Sequence, residues 1–323
     1  MRPGALGSLQ RGVLNLRANR ELIALAWLQR LLLVALSVLS LLPFYWVLDL
    51  RLPGRQLAPD ELLNWIVEAA ERLLGQMATV PFWMAVVASS ALLALVLFVY
   101  SFFEAGAFGV LAAGERRSPA ADASPLARPP AGFRCYTWKT YQEAGGAYLW
   151  RFFWLMNLLL LFWTVWLLLV SVAALTSGFA AGSAGVGAAL ALGCLSVLPL
   201  AFVAMLLVFW GWFAQAEIVC RDRGVWPGLL GGLRLATRRL GTMIGLAVVL
   251  TLLVAGSAVV FLLLTLTLDT ALASFGAIRV ALGWSLQALQ WLVSGVIHLT
   301  FSAAILAIVR ADYDLLATRE VAP

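Results

Sequence analysis

Apolar residues fill six long stretches of the chain, roughly 27–48, 81–111, 152–175, 186–216, 243–268 and 285–309. Each exceeds the ~18 residues needed to carry a helix across ~30 Å of hydrocarbon at ~1.5 Å per residue. The runs are apolar all round. Leu158-Leu159-Leu160-Leu161 and Leu246-Ala247-Val248-Val249-Leu250 lack the alternation that a membrane barrel strand requires. Lipid offers backbone N–H and C=O groups no partner, so continuously apolar spans must be helices. The pattern predicts an all-α polytopic membrane protein with six transmembrane helices, joined by short amphipathic interfacial helices and divisible into three helical hairpins.

The gaps between the runs differ in kind. Between spans 1 and 2, Leu62, Leu63, Ile66, Val67, Leu73 and Leu74 share one helical stripe, and Asp60, Glu61, Asn64, Glu68 and Glu71 share the other. This predicts an amphipathic helix at the external surface. Pro81 opens span 2, where its missing N–H leaves no helical bond unmade. The gap after span 2, about 114–132, is rich in Pro, Ala and Ser and reads as a flexible cytoplasmic linker within one membrane domain covering 1–323.

Three segments share a plan: each lies before an odd-numbered span and is basic and partly apolar. They cover 6–20, with Leu6, Leu9, Val13 and Leu16 on one face; 133–151; and 226–240, with Trp226, Leu229, Leu230, Leu233 and Leu240 on one stripe and Arg234, Arg238 and Arg239 beside it. Each even span ends in a charged cluster: Glu115-Arg116-Arg117, Arg221-Asp222-Arg223, and Arg310-Ala311-Asp312. The implied unit is an interfacial helix followed by a transmembrane hairpin, used three times. The charge rule for any six-span protein could also write such a pattern.

Composition narrows the class further. The chain is 63% hydrophobic and 12% charged, too few charges for a soluble domain of 323 residues to cover itself. Of its 22 basic residues, all but Arg51, Arg55, Arg72 and Arg279 fall on the side that holds both termini. Short loops rich in arginine stay in the cytoplasm, so both termini are expected there, in a bacterial inner membrane. Span 1 is too long for a signal-peptide h-region and ends in Pro43-Phe44-Tyr45-Trp46, so it reads as a permanent anchor. The basic residues hug span ends with no soluble aromatic-basic surface, which argues against nucleic acid. Cys135, Cys194 and Cys220 have no CxxC spacing and fit neither a disulfide nor a zinc site. No Walker A loop, HExxH or nucleotide fingerprint occurs.

The stretch from Arg221-Asp222-Arg223-Gly224 through Gly231-Gly232-Leu233-Arg234 to Arg239-Leu240-Gly241, together with interfacial helices before odd spans, resembles a group of bacterial six-span proteins. That group includes the membrane region of glycerophosphoryl diester phosphodiesterases. The resemblance implies the six-span fold and carries no agreed chemistry.

Candidate chemistry is sparse. His298, the single histidine, lies within span 6, where ionisable residues are functional candidates; a neutral imidazole bonded to a neighbouring helix is the simpler reading. Gln287, Gln290, Ser294 and His298 make one polar stripe along span 6. Ser294, four residues before His298, suits a local hydrogen bond better than a catalytic dyad. Glu104 and Glu217 occupy matching places in spans 2 and 4, as a proton or cation site or as carboxylates snorkelling beside Arg116 and Arg221. Asn157 and Gln215 read as interhelical glue, and Asp269 as a water-facing end of span 5. Trp226, Arg234, Arg238 and Arg239 are candidate contacts for a protein partner or for anionic headgroups. The functional expectation is a non-enzymatic transport or permease-like component without a cofactor, with a membrane organiser or lipid-interacting protein as the alternative. An intramembrane enzyme built on His298 is the third reading.

Overall fold

The computed structural model describes residues 4–48, 68, 71–118, 131–272 and 275–320. Among them the regular elements are α1 (Ala5–Ala18), α2 (Glu21–Leu48), α3 (Val80–Arg117), a 3-10 turn (Ala131–Phe133), α4 (Trp138–Ala184), α5 (Val186–Arg221), α6 (Val225–Arg238), α7 (Leu240–Ala271) and α8 (Gly276–Glu320), with no strand. Six of these helices carry windows long and apolar enough to cross a membrane: Glu21–Val47, Val80–Arg117, Trp138–Ser177, Pro199–Arg221, Leu240–Ala271 and Gly276–Tyr313. The chain is therefore an all-helical, multi-pass integral membrane protein. Most of the expected surface helix between spans 1 and 2 lies outside the described residues, as do 119–130 of the linker expected over 114–132; its ends are not flexible, because 114–117 continue α3, with Glu115 buried, and 131–133 form the 3-10 turn. The described part of the surface helix, 71–76, is helical, with Arg72 3.9 Å from Glu68.

Contacts divide the chain into two compact units, 28–100 and the remainder. In the smaller unit, the Thr79 hydroxyl accepts the Phe82 N–H at 3.4 Å and so caps α3. Pro81 sits in the first turn, as its sequence position predicts. Phe44 meets Phe82 edge-on at 6.0 Å between ring centroids. Many apolar side chains here are open, Trp46 and Met84 among them, as lipid-facing helices require.

In the larger unit one packing scheme recurs three times. A Cβ on Gly12 of α1 would lie 2.5 Å from Thr300 O and 2.9 Å from Ala304 N of α8. In the first turns of α4, Ala144 lies against Gly109 of α3, and the Tyr141 ring covers Gly106 and donates its hydroxyl to Phe103 O at 3.1 Å. A Cβ on Gly232 of α6 would lie 2.6 Å from Ala214 N of α5, and one on Gly228 would lie 2.6 Å from Ile218 Cγ1. Small residues thus let each interfacial segment lie directly on the even span of the preceding hairpin. Each segment also pairs with the even span of its own hairpin: Arg11 with Glu115 (2.6 Å), Arg151 with Asp222, and Arg239 with Asp312 (3.3 Å). Because α1 rests on the last span, the order of contacts is cyclic. The threefold pattern is a structural repeat and not charge placement alone.

The copies are not identical. Helices α1 and α6 end at non-helical residues, Asn19 (φ −119°, ψ 45°) and Arg239 (φ −113°, ψ 29°), before their spans begin. The middle copy has no such break. Thr137 caps it by accepting the Thr140 N–H at 3.0 Å, and interfacial segment and span run on as the single helix α4.

The stripes of α1 and α6 divide between the protein interior and the outer surface. On α1 the buried positions are Ser8, Gly12, Leu14, Asn15 and Leu16, whereas Leu6 is 69% exposed. On α6, Gly228, Leu229, Gly232, Leu235 and Ala236 are buried, whereas Trp226, Leu230, Leu233 and Leu240 are exposed. Of the two apolar stripes, Leu16 and Leu229 are buried, while Leu6, Trp226, Leu230 and Leu233 remain exposed. At a membrane interface lipid covers them, and small residues take the inner face because they allow close approach.

Candidate functional site

Two constellations gather the candidate residues. The first is intramembrane and joins α3, α5 and α8. His298 Nε2 lies 3.0 Å from both carboxylate oxygens of Glu104, the geometry of an N–H shared between the two acceptors. Glu104 is buried and the imidazole nearly so. Trp212 of α5 packs on the imidazole at 5.5 Å between centroids and stacks on Phe301 at 6.2 Å. Ser302 donates its hydroxyl to His298 O at 3.0 Å, fixing the turn below the ring. Along the chain the pair adjoins the contacts of two interfacial segments: Phe103, next to Glu104, accepts the Tyr141 hydroxyl, and Thr300, two residues after His298, meets Gly12 of α1. Gln287, Gln290 and Ser294 continue the same face of α8 and are half-buried. The expected polar stripe is therefore present, and its lower end meets a carboxylate from another span.

Glu104 and Glu217 do not share partners. Glu217 is buried at the end of α5, with Oε2 3.4 Å from Arg221 and 3.5 Å from Arg223. The reading that placed Glu217 beside Arg221 describes its position. The matching reading for Glu104, beside Arg116, does not, because His298 takes its carboxylate. Asn157 donates to Phe153 O of its own helix at 2.7 Å, so it is not interhelical glue. Gln215 is buried, with no hydrogen-bond partner for Oε1 among the described residues. Asp269 lies 3.8 Å from Arg279, both half-exposed, at the end of α7.

The second constellation lies at the terminus-bearing end, where α5, α6 and α8 finish. A cavity of about 270 Å³ is lined by Glu217, Arg221, Arg223, Arg234, Arg238 and Asp312, with Gly231 and Leu235 in its wall. Asp312 is shared by Arg239 at 3.3 Å and Arg221 at 3.8 Å. Arg234 and Arg238 have no ion-pair partner among the described residues, and Trp226 is exposed further along α6. The Trp210 indole N–H donates to Leu229 O at 2.8 Å and ties α6 to its span.

A third cluster escaped the sequence reading. Asn15 donates to Leu111 O (3.0 Å) and to Glu115 (3.1 Å). Asn19 donates to Phe133 O (2.7 Å) and accepts the N–H groups of Cys135 and Tyr136 (2.9 Å each). Asn15 and Asn19 are buried, and their bonds stitch α1 to α3 and to the segment entering α4. The cluster's one sequence signal is two asparagines four apart on an amphipathic helix. No group of three or more His, Cys, Asp or Glu among the described residues could hold a metal ion.

No family model matches the chain, and no curated protein or solved structure is significantly similar to it.

Proposed function

We propose that the protein is a transport or permease-like component of a bacterial inner membrane, with both termini in the cytoplasm and with Glu104 and His298 as its proton-exchanging pair. The observation that carries this reading is the pair itself: two titratable groups from different spans, in contact within the helix bundle at the end of a polar stripe. Burying such groups in hydrocarbon is costly, and buried apolar residues of similar size would pack these helices as well. Proton relays are the use to which membrane proteins put such pairs. The purified protein in liposomes loaded with a pH-sensitive dye tests it. An imposed proton gradient should dissipate faster than in empty liposomes, and Glu104→Gln or His298→Ala should remove the excess. Equal dissipation in the variants and the wild type would exclude the pair as the coupling site.

A second reading, a non-catalytic membrane organiser that works through anionic lipid, is favoured by one observation: the outward apolar faces of α1 and α6. Trp226, Leu230 and Leu233 on α6 and Leu6 on α1 sit beside basic residues, as at a headgroup boundary. It would gain if the protein purified with a defined set of anionic phospholipids and had no proton flux.

A further inference from the structure

We infer that the cavity at the foot of α6 is a phosphate-binding site whose natural occupant is the headgroup of an anionic phospholipid. It shares no residue with the Glu104–His298 pair and stands whether or not that pair moves protons.

The charge count comes first. Four guanidinium groups line the cavity, from Arg221, Arg223, Arg234 and Arg238, against two carboxylates, Glu217 and Asp312. Both carboxylates already lie within ion-pair reach of arginines, though Glu217 Oε2 makes no hydrogen bond among the described residues. Glu217 faces Arg221 and Arg223, and Asp312 faces Arg221 and also Arg239. Arg234 and Arg238, one turn apart on α6, are left as an uncompensated pair of planar donors. That is the arrangement that recognises phosphate oxygens, through two forks with a small anion between them.

The second observation is the state of the inner wall. Glu217 Oε2 and Arg221 Nε are both buried and unpaired by hydrogen bonds among the described residues, although they lie 3.4 Å apart. A native protein seldom leaves such atoms without a partner unless something outside the chain completes the set. A phosphate oxygen can accept from Arg221, and a headgroup hydroxyl can donate to Glu217. Gly231 keeps the space open, because a Cβ there would lie 2.9 Å from Glu217 Oε2 and 3.2 Å from an Arg223 nitrogen. Glycine inside a helix is otherwise unfavourable, so its use here has a local reason.

The third observation selects lipid over a soluble phosphate. At 3.6 residues per turn α6 shows three faces. Gly228, Leu229, Gly232, Leu235 and Ala236 pack inward; Arg234 and Arg238 face the cavity; Trp226, Leu230 and Leu233 form an exposed apolar strip. The strip adjoins the arginine face, so a molecule seated by its phosphate would lay its apolar part along the tryptophan. Phosphate, a hydroxyl-bearing headgroup and an acyl tail together describe an anionic glycerophospholipid such as phosphatidylglycerol.

The test uses the delipidated full chain in neutral detergent, titrated with phosphatidylglycerol, phosphatidylcholine or inorganic phosphate and read by native mass spectrometry. Wild type should bind one phosphatidylglycerol at least tenfold more tightly than phosphatidylcholine. Arg234→Gln/Arg238→Gln should weaken the former about 30-fold and leave the latter unchanged. Gly231→Ala, which removes no charge, should weaken it as well. Displacement of the lipid by millimolar inorganic phosphate would assign the site to a free phosphate and overturn the lipid assignment. Undiminished phosphatidylglycerol binding by the double variant would overturn the site. Should that variant fail to fold, arginine modification by phenylglyoxal on the wild type decides instead: Arg234 and Arg238 should be protected by phosphatidylglycerol and not by phosphatidylcholine, and equal protection would refute the proposal.

Discussion

Removing Glu104, His298 or both measures how much the intramembrane pair contributes to the fold, apart from any transport. The contact is close, with Nε2 3.0 Å from each carboxylate oxygen, and Glu104 is buried. Interhelical polar contacts in membranes average ~0.6 kcal/mol in double-mutant cycles, with a maximum near ~1.7. Breaking a fully buried ion pair in a soluble core costs roughly 3–5 kcal/mol. The imidazole retains 18% side-chain exposure, so the pair is not fully enclosed, which brings the value towards the membrane range. Contact with both carboxylate oxygens places it at the upper end of that range, so we expect a coupling energy of about 1.5 kcal/mol. Glu104→Ala alone should destabilise by about 2 kcal/mol, and His298→Ala by somewhat more because it also loses the Trp212 contact. Glu104→Gln, which keeps one neutral bond, should cost about half as much as Glu104→Ala. The assay is reversible unfolding in mixed micelles at increasing dodecyl sulfate fraction, followed by far-UV circular dichroism. A coupling below ~0.3 kcal/mol, with additive single effects, would mean that the two side chains do not hold spans 2 and 6 together.

Three further outcomes follow from the packing. Gly12→Ala and Gly232→Ala should each destabilise by about 1–3 kcal/mol, since the new methyl meets backbone atoms, whereas Gly146→Ala should be neutral or stabilising because nothing lies within 4 Å of it; equal melting temperatures for all three would contradict the close approach. Asn19→Ala removes five side-chain hydrogen bonds of 2.7–3.0 Å, three of them to the segment entering α4, and should lower stability by roughly 2–3 kcal/mol, with faster amide exchange at Cys135 and Tyr136 as the local readout; unchanged exchange there would dispose of the stitch. Cysteines placed at the exposed positions Gly4 and Phe275 should react with a membrane-impermeant maleimide from opposite sides, Phe275→Cys in intact cells and Gly4→Cys only after lysis; labelling of both from outside would reverse the expected topology.

The spans were legible because their signal is long and local. Twenty or more apolar residues can answer only one solvent, and the structure lengthens them mainly by running helices past the hydrocarbon. His298 and Glu104 each stood out as polar residues in apolar runs, but their sequence separation of 194 hid that they meet. The Arg11–Asn15–Glu115 cluster was invisible for the same reason, and because Arg11 and Glu115 resemble the solvated charges found at any span end. The inward faces of α1 and α6 were not legible for a different reason. An amphipathic pattern reports which face is apolar but not whether protein or lipid will cover it. Gly12, Gly228 and Gly232 were the clue, since glycine inside a helix needs a reason, and close helix contact supplies one.

The cyclic order of contacts constrains when this protein can be finished. Helix α1 leaves the ribosome long before the surface that receives it, around Thr300 and Ala304. Until span 6 has been inserted, α1 can only wait at the membrane surface, held by its own apolar face. Loss of the final hairpin would therefore be felt first at the opposite end of the chain, as an N-terminal helix with nowhere to dock. The same geometry implies that the starting point of the chain is arbitrary. A gene rearranged to begin with the second or the third hairpin would present every interfacial helix with the same neighbour.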